Sequence, residues 1–332
     1  MVAFDNDSLR EAVRAILFYG DPESILAKYY GPMEHWDVSG VTHMDELFCN
    51  NSVDGYSRPI PDLSRWDVSN VVTMERMFEH CKSFDQDLSA WDVSKVTNMA
   101  GMFFRAEAFN GDVSTWDVSS VTDMHGMFRY ARNFDGDLSR WDVSNVGRMD
   151  GMFRGATIFN GDLNAWNTAS VFDMRDMFRG AWMFDRDLDH WDVSGVFDMA
   201  YMFFKAHSFN GDLSNWDTRG CGGYESMFES AHNFNRDLST WKVPAGRKSF
   251  RTSAMFLNAH AFCERLPPKL LATLHKRDFH RSGRWLWRMA RNRVRPHVLA
   301  RLAAYHLMEL AARPDAEGNA PRGAIEAFRD EF

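Results

Sequence analysis

Apolar side chains recur along this chain with a fixed period. Eight tryptophans stand 25 residues apart without interruption, and Trp36 precedes the first of them by 30 residues. A period of this size predicts a stack of short units, each of which buries its apolar side chains against its neighbours. We expect the tryptophan column to form the structural core: Trp66, Trp91, Trp116, Trp141, Trp166, Trp191, Trp216 and Trp241.

The second half of each unit has the apolar spacing of a helix. In the unit around Trp116, the apolar residues are Val121, Met124, Met127, Phe128 and Ala131. Apolar positions three and four residues apart mark one face of an α-helix. The pattern therefore predicts a short helix after each tryptophan.

The first half of each unit has the pattern of a strand. Leu138, Trp141 and Val143 follow the order apolar-x-x-apolar-x-apolar, with Asp142 between the last two. Alternation of this kind is typical of a half-buried strand, and the order is that of leucine-rich repeats. The sequence predicts an α/β repeat solenoid, leucine-rich-repeat-like, with short parallel strands on one face, short helices on the other and helical caps at both ends.

Three segments differ in composition. Residues 1–31 contain Ser8 and Glu11, which have the spacing of a capping box, and an apolar stripe; they predict an N-terminal helical cap. Residues 32–262 hold about nine Trp-centred units and form the predicted solenoid. Residues 263–332 predict a basic helical C-terminal cap or tail: residues 264–332 carry 14 Lys/Arg and 8 Asp/Glu, against 24 and 38 in residues 1–263.

The repeat closely resembles the 25-residue repeat of the BspA-like leucine-rich-repeat surface proteins, and it is similar to repeats of mycoplasma-type surface lipoproteins. Phe209-Asn-Gly-Asp-Leu-Ser-Asn-Trp216 and Trp141-Asp-Val-Ser-Asn-Val146 carry the resemblance most clearly. It implies a surface or extracellular protein that adheres or binds without catalysis. The N-terminus, however, has no basic start followed by an apolar run, so the sequence predicts no secretory signal and leaves the compartment open.

A column of acidic residues follows the tryptophans and is the first candidate for a binding face. We expect these side chains to point outward from the strands, next to a variable column that precedes each tryptophan. The candidate binding residues are Asp67, Asp92, Asp117, Asp142, Asp192 and Asp217, with Arg65, Arg140 and His190 from the variable column. The acidic side chains either cap local N–H groups or attract a cationic partner or a divalent ion.

The C-terminal segment offers a different surface. Residues 265–301 carry 11 Lys/Arg and one acid, Asp278, with tryptophans interspersed. This composition fits a cap with a solvated basic face, or docking to an acidic membrane or protein. Nucleic acid is not favoured, because no recognised motif is present.

The motifs of common enzyme classes are absent from the sequence. It contains no His-Glu-x-x-His, no P-loop, no Gly-x-Gly-x-x-Gly after a strand and no nucleophile elbow. We therefore expect a monomeric, non-catalytic protein with no cofactor or metal, which mediates protein–protein interaction or adhesion through its strand face. The alternative is an intracellular scaffold that docks through its basic C-terminal segment. A hydrolase whose site is assembled by the fold is a third hypothesis.

Overall fold

The protein is a repeat solenoid in which units of 25 residues stack in register. The computed structural model describes residues 3–17, 31–50, 52–53, 56–57, 59–242, 251–259 and 261. The predicted C-terminal segment 263–332 lies outside these residues. One α-helix, α1, spans Asn6–Leu17. A small antiparallel hairpin, β1 (Ser52–Val53) and β2 (Tyr56–Ser57), lies between the first two units, where Trp36 and Trp66 are 30 residues apart.

Successive units are joined by parallel hydrogen bonding between equivalent residues. Each unit contributes one parallel bridge, and the bridged residues are His43, Thr73, Asn98, Asp123, Arg148, Asp173, Asp198, Gly223 and Arg251. From this bridge onward, alternate N–H groups donate to the next unit. Tyr130 N, for example, donates to the carbonyl oxygen of Arg154 at 2.7 Å. Backbone hydrogen bonds therefore join each unit to the next.

The remaining N–H groups of this segment are satisfied within their own unit. Met127 N donates to the carbonyl oxygen of Met124 at 3.2 Å, and the N–H groups two and four residues later repeat the same three-residue step. The N–H of His125 donates to the carboxylate of Asp123 at 2.9 Å. Every backbone N–H from residue 124 to 131 thus has a partner, as a buried backbone requires.

The predicted helices of the repeat are wrong. Among the described residues, the repeats contain no α-helix; residues 124–131 form overlapping turns, and α1 belongs to the N-terminal cap. Gly126 and Tyr130 have φ of +61° and +59°, which interrupts a right-handed helix and suits the third position of a type II turn. Successive three-residue turns place apolar side chains on one side at nearly the spacing of a helix, so the periodicity did not distinguish them.

The predicted strand at the tryptophan is also wrong. Residues 138–146 form turns, in which Trp141 N donates to the carbonyl oxygen of Leu138 at 3.1 Å. The link between units is made here by the side chain. The indole Nε1–H of Trp141 donates to the carbonyl oxygen of Val113, in the preceding unit, at 3.0 Å. The same bond recurs at 2.7–3.0 Å for the other seven tryptophans of the column.

The core consists of identical layers shared between neighbours. The eight tryptophans are buried, as are the phenylalanine, methionine and valine columns. Phenylalanine rings stack within a unit, as Phe128 does on Phe134 with ring centroids 3.9 Å apart, and between units, as Phe134 does on Phe159 at 5.9 Å. The structural role predicted for the tryptophans agrees with this position, and their indole N–H adds a polar contribution that the pattern alone did not reveal.

Helix α1 covers the first unit and begins earlier than the capping box predicts. Ser8 N donates to the carboxylate of Asp5 at 2.8 Å, and Asp5 N donates to the hydroxyl of Ser8 at 3.0 Å, so the reciprocal cap is Asp5 with Ser8. Asn6 Oδ1 accepts hydrogen bonds from the backbone N–H groups of Thr42 and His43 at 2.9 and 3.1 Å. The first unit has no preceding unit to satisfy these groups, and the cap supplies the acceptor.

Candidate binding surface

The predicted acidic column lies on the outside of the stack and caps local turns. Asp142 Oδ1 accepts a hydrogen bond from Ser144 N at 3.0 Å. Each of Asp67, Asp92, Asp117, Asp142, Asp192 and Asp217 accepts from the backbone N–H two residues later at 2.9–3.3 Å. The hydroxyl and backbone N–H of Ser144 lower the pKa of Asp142, and those of Ser94 do the same for Asp92. Each of these carboxylates therefore already has at least one oxygen hydrogen-bonded within its own turn.

The variable column beside it is exposed and makes few specific contacts. Arg65, Arg140 and His190 all lie at the surface. His190 N donates to Asn164 Oδ1 at 3.1 Å, and its imidazole Nε2 lies 3.8 Å from a carboxylate oxygen of Asp189. The structure thus places the predicted residues on one face, but it does not gather them into a cluster.

A second ladder of side chains, which the sequence analysis missed, also joins the units. It uses the Asn or Asp that follows the recurrent phenylalanine. Asn160 N donates to Asp135 Oδ1 at 2.7 Å, and Asp185 N donates to Asn160 Oδ1 at 3.0 Å. The same bond continues through Asn210 and Asn235. The signal was the restriction of this position to Asn and Asp, two side chains with the same acceptor oxygen.

The turn segment carries a row of cationic side chains along the middle of the stack. We name this row the arginine strip; its members are Arg105, Arg129, Arg154, Arg179 and Lys205. They occupy the two positions that follow the Met-Phe pair in five consecutive units. In the units on either side, the first of these positions is Glu79 or Glu229. The strip is therefore a local change of charge on a solenoid whose residues are acidic overall.

Aromatic rings hold the cationic groups of the strip in place. The guanidinium carbon of Arg129 lies 5.2 Å from the centroid of Phe104 and 5.6 Å from that of Tyr130, and Arg105 contacts the same two rings at 5.6 and 5.5 Å. At the other end, Lys205 Nζ lies 5.3 Å from the centroid of Phe204. Cation–π contacts of this kind contribute about 0.5–1 kcal/mol each at exposed sites. They orient the strip without neutralising it.

The pKa of Tyr130 reflects the positive charge of the arginine strip. Partial burial alone raises the pKa of a tyrosine, but the nearby guanidinium groups of Arg154 and Arg129 outweigh it and lower the pKa of Tyr130. Two members of the strip have an acidic partner: Arg154 and Arg179 lie 3.4 and 3.0 Å from carboxylate oxygens of Asp176. Within the described ranges, Arg105 and Arg129 form no ion pair. Their charge is available to a ligand.

The sequence pattern did not predict the strip, because the two positions after Met-Phe vary in residue type and were not compared between units. The backbone ladder places equivalent positions of successive units side by side, so their cationic side chains form one row. The change from Glu79 to a cationic residue in each of the next five units is the signal that this comparison would have given.

Two further features of the described residues bear on other functions. They contain no group of three or more His, Cys, Asp or Glu side chains arranged to hold a metal ion. No helix among them is both long and apolar enough to cross a bilayer.

Comparison with known proteins identifies the repeat. The family model described as "Mycoplasma protein of unknown function, DUF285" matches residues 24–120, 49–166, 109–201 and 149–268, which together span most of the chain. No curated protein matches the sequence. Among solved structures, a leucine rich cell surface protein from Faecalibacterium prausnitzii A2-165 aligns with 12% identity and a TM-score of 0.30, covering 67% of this chain and 82% of that chain.

A second structural likeness is to the TLR13–ssRNA13 complex. The identity is 11% and the TM-score 0.23, and the alignment covers 60% of this chain but only 35% of that chain. Both TM-scores are too low to support an inference about function.

Proposed function

We propose that this chain, which belongs to the DUF285 family of Mycoplasma proteins of unknown function, is a non-catalytic, surface-displayed repeat protein. It binds an acidic partner protein through the arginine strip. The resemblance of its repeat to that of the BspA-like surface proteins supports display and adhesion. The basic C-terminal segment, which would dock a scaffold in the alternative hypothesis, lies outside the described residues.

One observation carries the proposal: the strip is not needed to build the stack. The solenoid is held by backbone ladders, indole N–H groups and buried rings, and all of these recur in units that lack the strip. Cationic side chains in adjacent units repel one another, and their contacts with the aromatic rings offset only part of this repulsion. Surface charge that a scaffold does not require is typical of a recognition surface.

The acidic column gives a competing hypothesis with an opposite charge preference. Its carboxylates already accept backbone hydrogen bonds, whereas Arg105 and Arg129 have no acidic partner among the described residues. A partner of the acidic column would be cationic, and a partner of the strip would be anionic. The sign of the charge on the ligand therefore separates the two faces.

Binding of the full chain to immobilised poly-L-glutamate and poly-L-lysine tests the proposal. We expect poly-L-glutamate to bind despite the net charge of −8, and the double variant Arg105→Gln, Arg129→Gln to lose about tenfold in affinity. Arg132→Gln is a single-charge control, because this arginine belongs to the same unit as Arg129 but is exposed outside the strip, 3.8 Å from a carboxylate oxygen of Glu107. It should change affinity less than twofold.

Two results would overturn the proposal. One is failure of the wild-type chain to bind poly-L-glutamate at low salt. The other is an equal loss in the strip variant and in Arg132→Gln. If instead poly-L-lysine binds and Asp117→Asn, Asp142→Asn and Asp192→Asn together abolish that binding, the acidic column is the binding face.

A further inference from the structure

A gap in the row of side chains lies within the arginine strip. Gly155 and Gly180 occupy the column that holds Arg105, Tyr130 and Lys205 in the other three units. The ring of Tyr130 covers Gly155, since a Cβ at Gly155 would lie 2.3 Å from Tyr130 Cδ1. At Gly180 a Cβ would meet only ordinary contacts of 3.9–4.0 Å, one of them with Trp182 Nε1. The backbone at Gly180 is therefore open to close approach by a ligand; we call this position the glycine notch.

Exposed apolar side chains follow the two glycines along the chain. Ile158, Trp182 and Met183 are 44%, 50% and 55% exposed, in a chain whose other repeat tryptophans are almost fully buried. Met183 N donates to the carbonyl oxygen of Thr157 at 3.1 Å, so Ile158 and Met183 belong to adjoining units. We name these three residues the apolar shelf. Large apolar side chains exposed together are typical of an interaction site.

Along the chain, Arg179 precedes the notch at Gly180, and Trp182 and Met183 follow it, with Ala181 buried between them. The glycine column carries Arg105, Tyr130 and Lys205 in the other units, so the open position is confined to Gly180. The two cations that flank the glycines, Arg154 and Arg179, share the single carboxylate of Asp176, so their net charge remains positive. A ligand lying along the notch would therefore meet positive charge on one side and apolar surface on the other.

We propose that the notch receives an extended segment of the acidic partner protein, in which acidic and apolar side chains alternate. This inference rests on the proposed function and adds the form of the ligand. Successive side chains of an extended chain point to opposite sides, so acids would face the arginine strip and apolar groups the shelf.

The spacing of the units fits such a segment. Equivalent rings in adjoining units are 5.8–6.0 Å apart, for example from Phe159 to Phe184 and from Phe184 to Phe209. Alternate residues of an extended chain are separated by about 6.6 Å. Across the two units with glycine in this column, alternate side chains of the segment can therefore reach Arg154 and Arg179, because arginine side chains are long enough to absorb the difference.

The aromatic rings of the strip argue against a single-stranded nucleic acid as the ligand. Such ligands bind by stacking bases on exposed aromatic faces. The ring of Tyr130 is instead flanked by the guanidinium groups of Arg105, Arg129 and Arg154, at 5.5–5.9 Å from its centroid, and rests on Gly155. The ring of Tyr130 therefore has no free face for a base.

Binding of two synthetic peptides of eight residues tests the inference with the full chain. One alternates Asp with Leu, and the other alternates Asp with Ser, so the charge is the same. We expect the Asp-Leu peptide to bind at least tenfold more tightly, and Trp182→Ser to remove this preference. Phe172→Ser is the control, because Phe172 is similarly exposed but lies outside the shelf.

A second pair of variants tests the notch. Gly180→Asn adds a side chain while keeping a residue that tolerates positive φ, and we expect it to weaken the Asp-Leu peptide about tenfold. Gly31→Asn, at φ +72° in the N-terminal cap, where an added Cβ would meet nothing within 4 Å, should have less than a twofold effect. Thermal unfolding of both variants checks that the comparison is made between folded proteins.

The possible outcomes separate this inference from the proposed function. Binding of poly-L-glutamate without preference for the Asp-Leu peptide, or equal effects of the two glycine variants, overturns the inference alone. Loss of all polyanion binding overturns the function as well. Tighter binding of oligo(dT) than of the Asp-Leu peptide would assign the strip to nucleic acid and refute a peptide ligand.

Discussion

Replacing Gly155 with alanine tests whether Tyr130 is held by the glycine beneath it. Gly155 has φ +71°, and an added Cβ would lie 2.3 Å from Tyr130 Cδ1 and 2.6 Å from Cε1. The ring must therefore move, and it leaves its position among the guanidinium groups. Gly151→Ala is the matched control: Gly151 has φ +63°, but its Cβ would meet nothing closer than 3.9 Å.

The expected magnitude follows from the difference between these two glycines. An alanine at positive φ costs about 1–2 kcal/mol, and this cost applies to both variants. Only Gly155→Ala also displaces Tyr130, whose contacts with Arg105, Arg129 and Arg154 contribute about 0.5–1 kcal/mol each at exposed sites. We therefore expect Gly155→Ala to be more destabilising than Gly151→Ala by about 1.5–3 kcal/mol.

Urea unfolding of both variants measures this difference, and a spectroscopic titration gives a second observable. Removal of Tyr130 from the guanidinium groups should raise its pKa, which ultraviolet absorbance detects when Tyr130→Phe serves as the reference. Equal losses of stability in the two variants, or an unchanged titration of Tyr130, would refute the reasoning that glycine at 155 positions the ring.

Three further substitutions test other parts of the stack. Trp141→Phe should lower the free energy of unfolding by about 2–3 kcal/mol, from one lost hydrogen bond and a smaller buried ring, and a loss under 1 kcal/mol by urea titration would show that the indole N–H is dispensable. Asp142 has a pKa below 3.8 because Ser144 binds its charged form, so its contribution is present above that pH and disappears as the pH falls further. Asp142→Asn, which keeps the acceptor but not the charge, should therefore have a lower Tm than wild type at pH 6, and the difference should shrink as the pH is lowered below 3.8; a pH-independent difference contradicts this. Burial of the imidazole and the charges of His232 and Lys205 lower the pKa of His207 below 6.5. As the pH drops below that value, the unfolded chain is protonated before the folded one, so the free energy of unfolding falls. His207→Gln should reduce the fall in Tm between pH 7 and pH 5, and an identical fall in both proteins would contradict the effect.

The sequence predicted which side chains are buried, but not the backbone that buries them. The tryptophan column and the apolar positions around Met124 and Met127 lie inside the stack as expected. The helix and strand assignments failed because a run of three-residue turns produces similar apolar spacing. The glycine at 126 was the contrary signal: it recurs at 101 and 151, and all three have positive φ.

The candidate surface could be predicted only in part. The outward position of the acidic column followed from the alternation of Trp141, Asp142 and Val143, and it does not depend on whether the segment is a strand or a turn. The arginine strip depends on how residues 25 apart align across units. That alignment follows from the period itself, but the strip becomes visible only when the two positions after each Met-Phe pair are compared from unit to unit.

The side-chain ladder through Asn160 and Asp185 has a consequence for the gene. Because donor and acceptor are always one unit apart, a duplication or deletion of one whole unit restores every pairing wherever in the unit the breakpoint falls. An insertion of another length keeps the pairing only where the extra residues leave the ladder, as those of the hairpin β1–β2 between the first two units do. Recombination between copies can therefore lengthen or shorten the array without a new interface having to evolve. Copying a central unit would also add one cationic side chain to the arginine strip. The length of the binding surface would therefore change in steps of one unit.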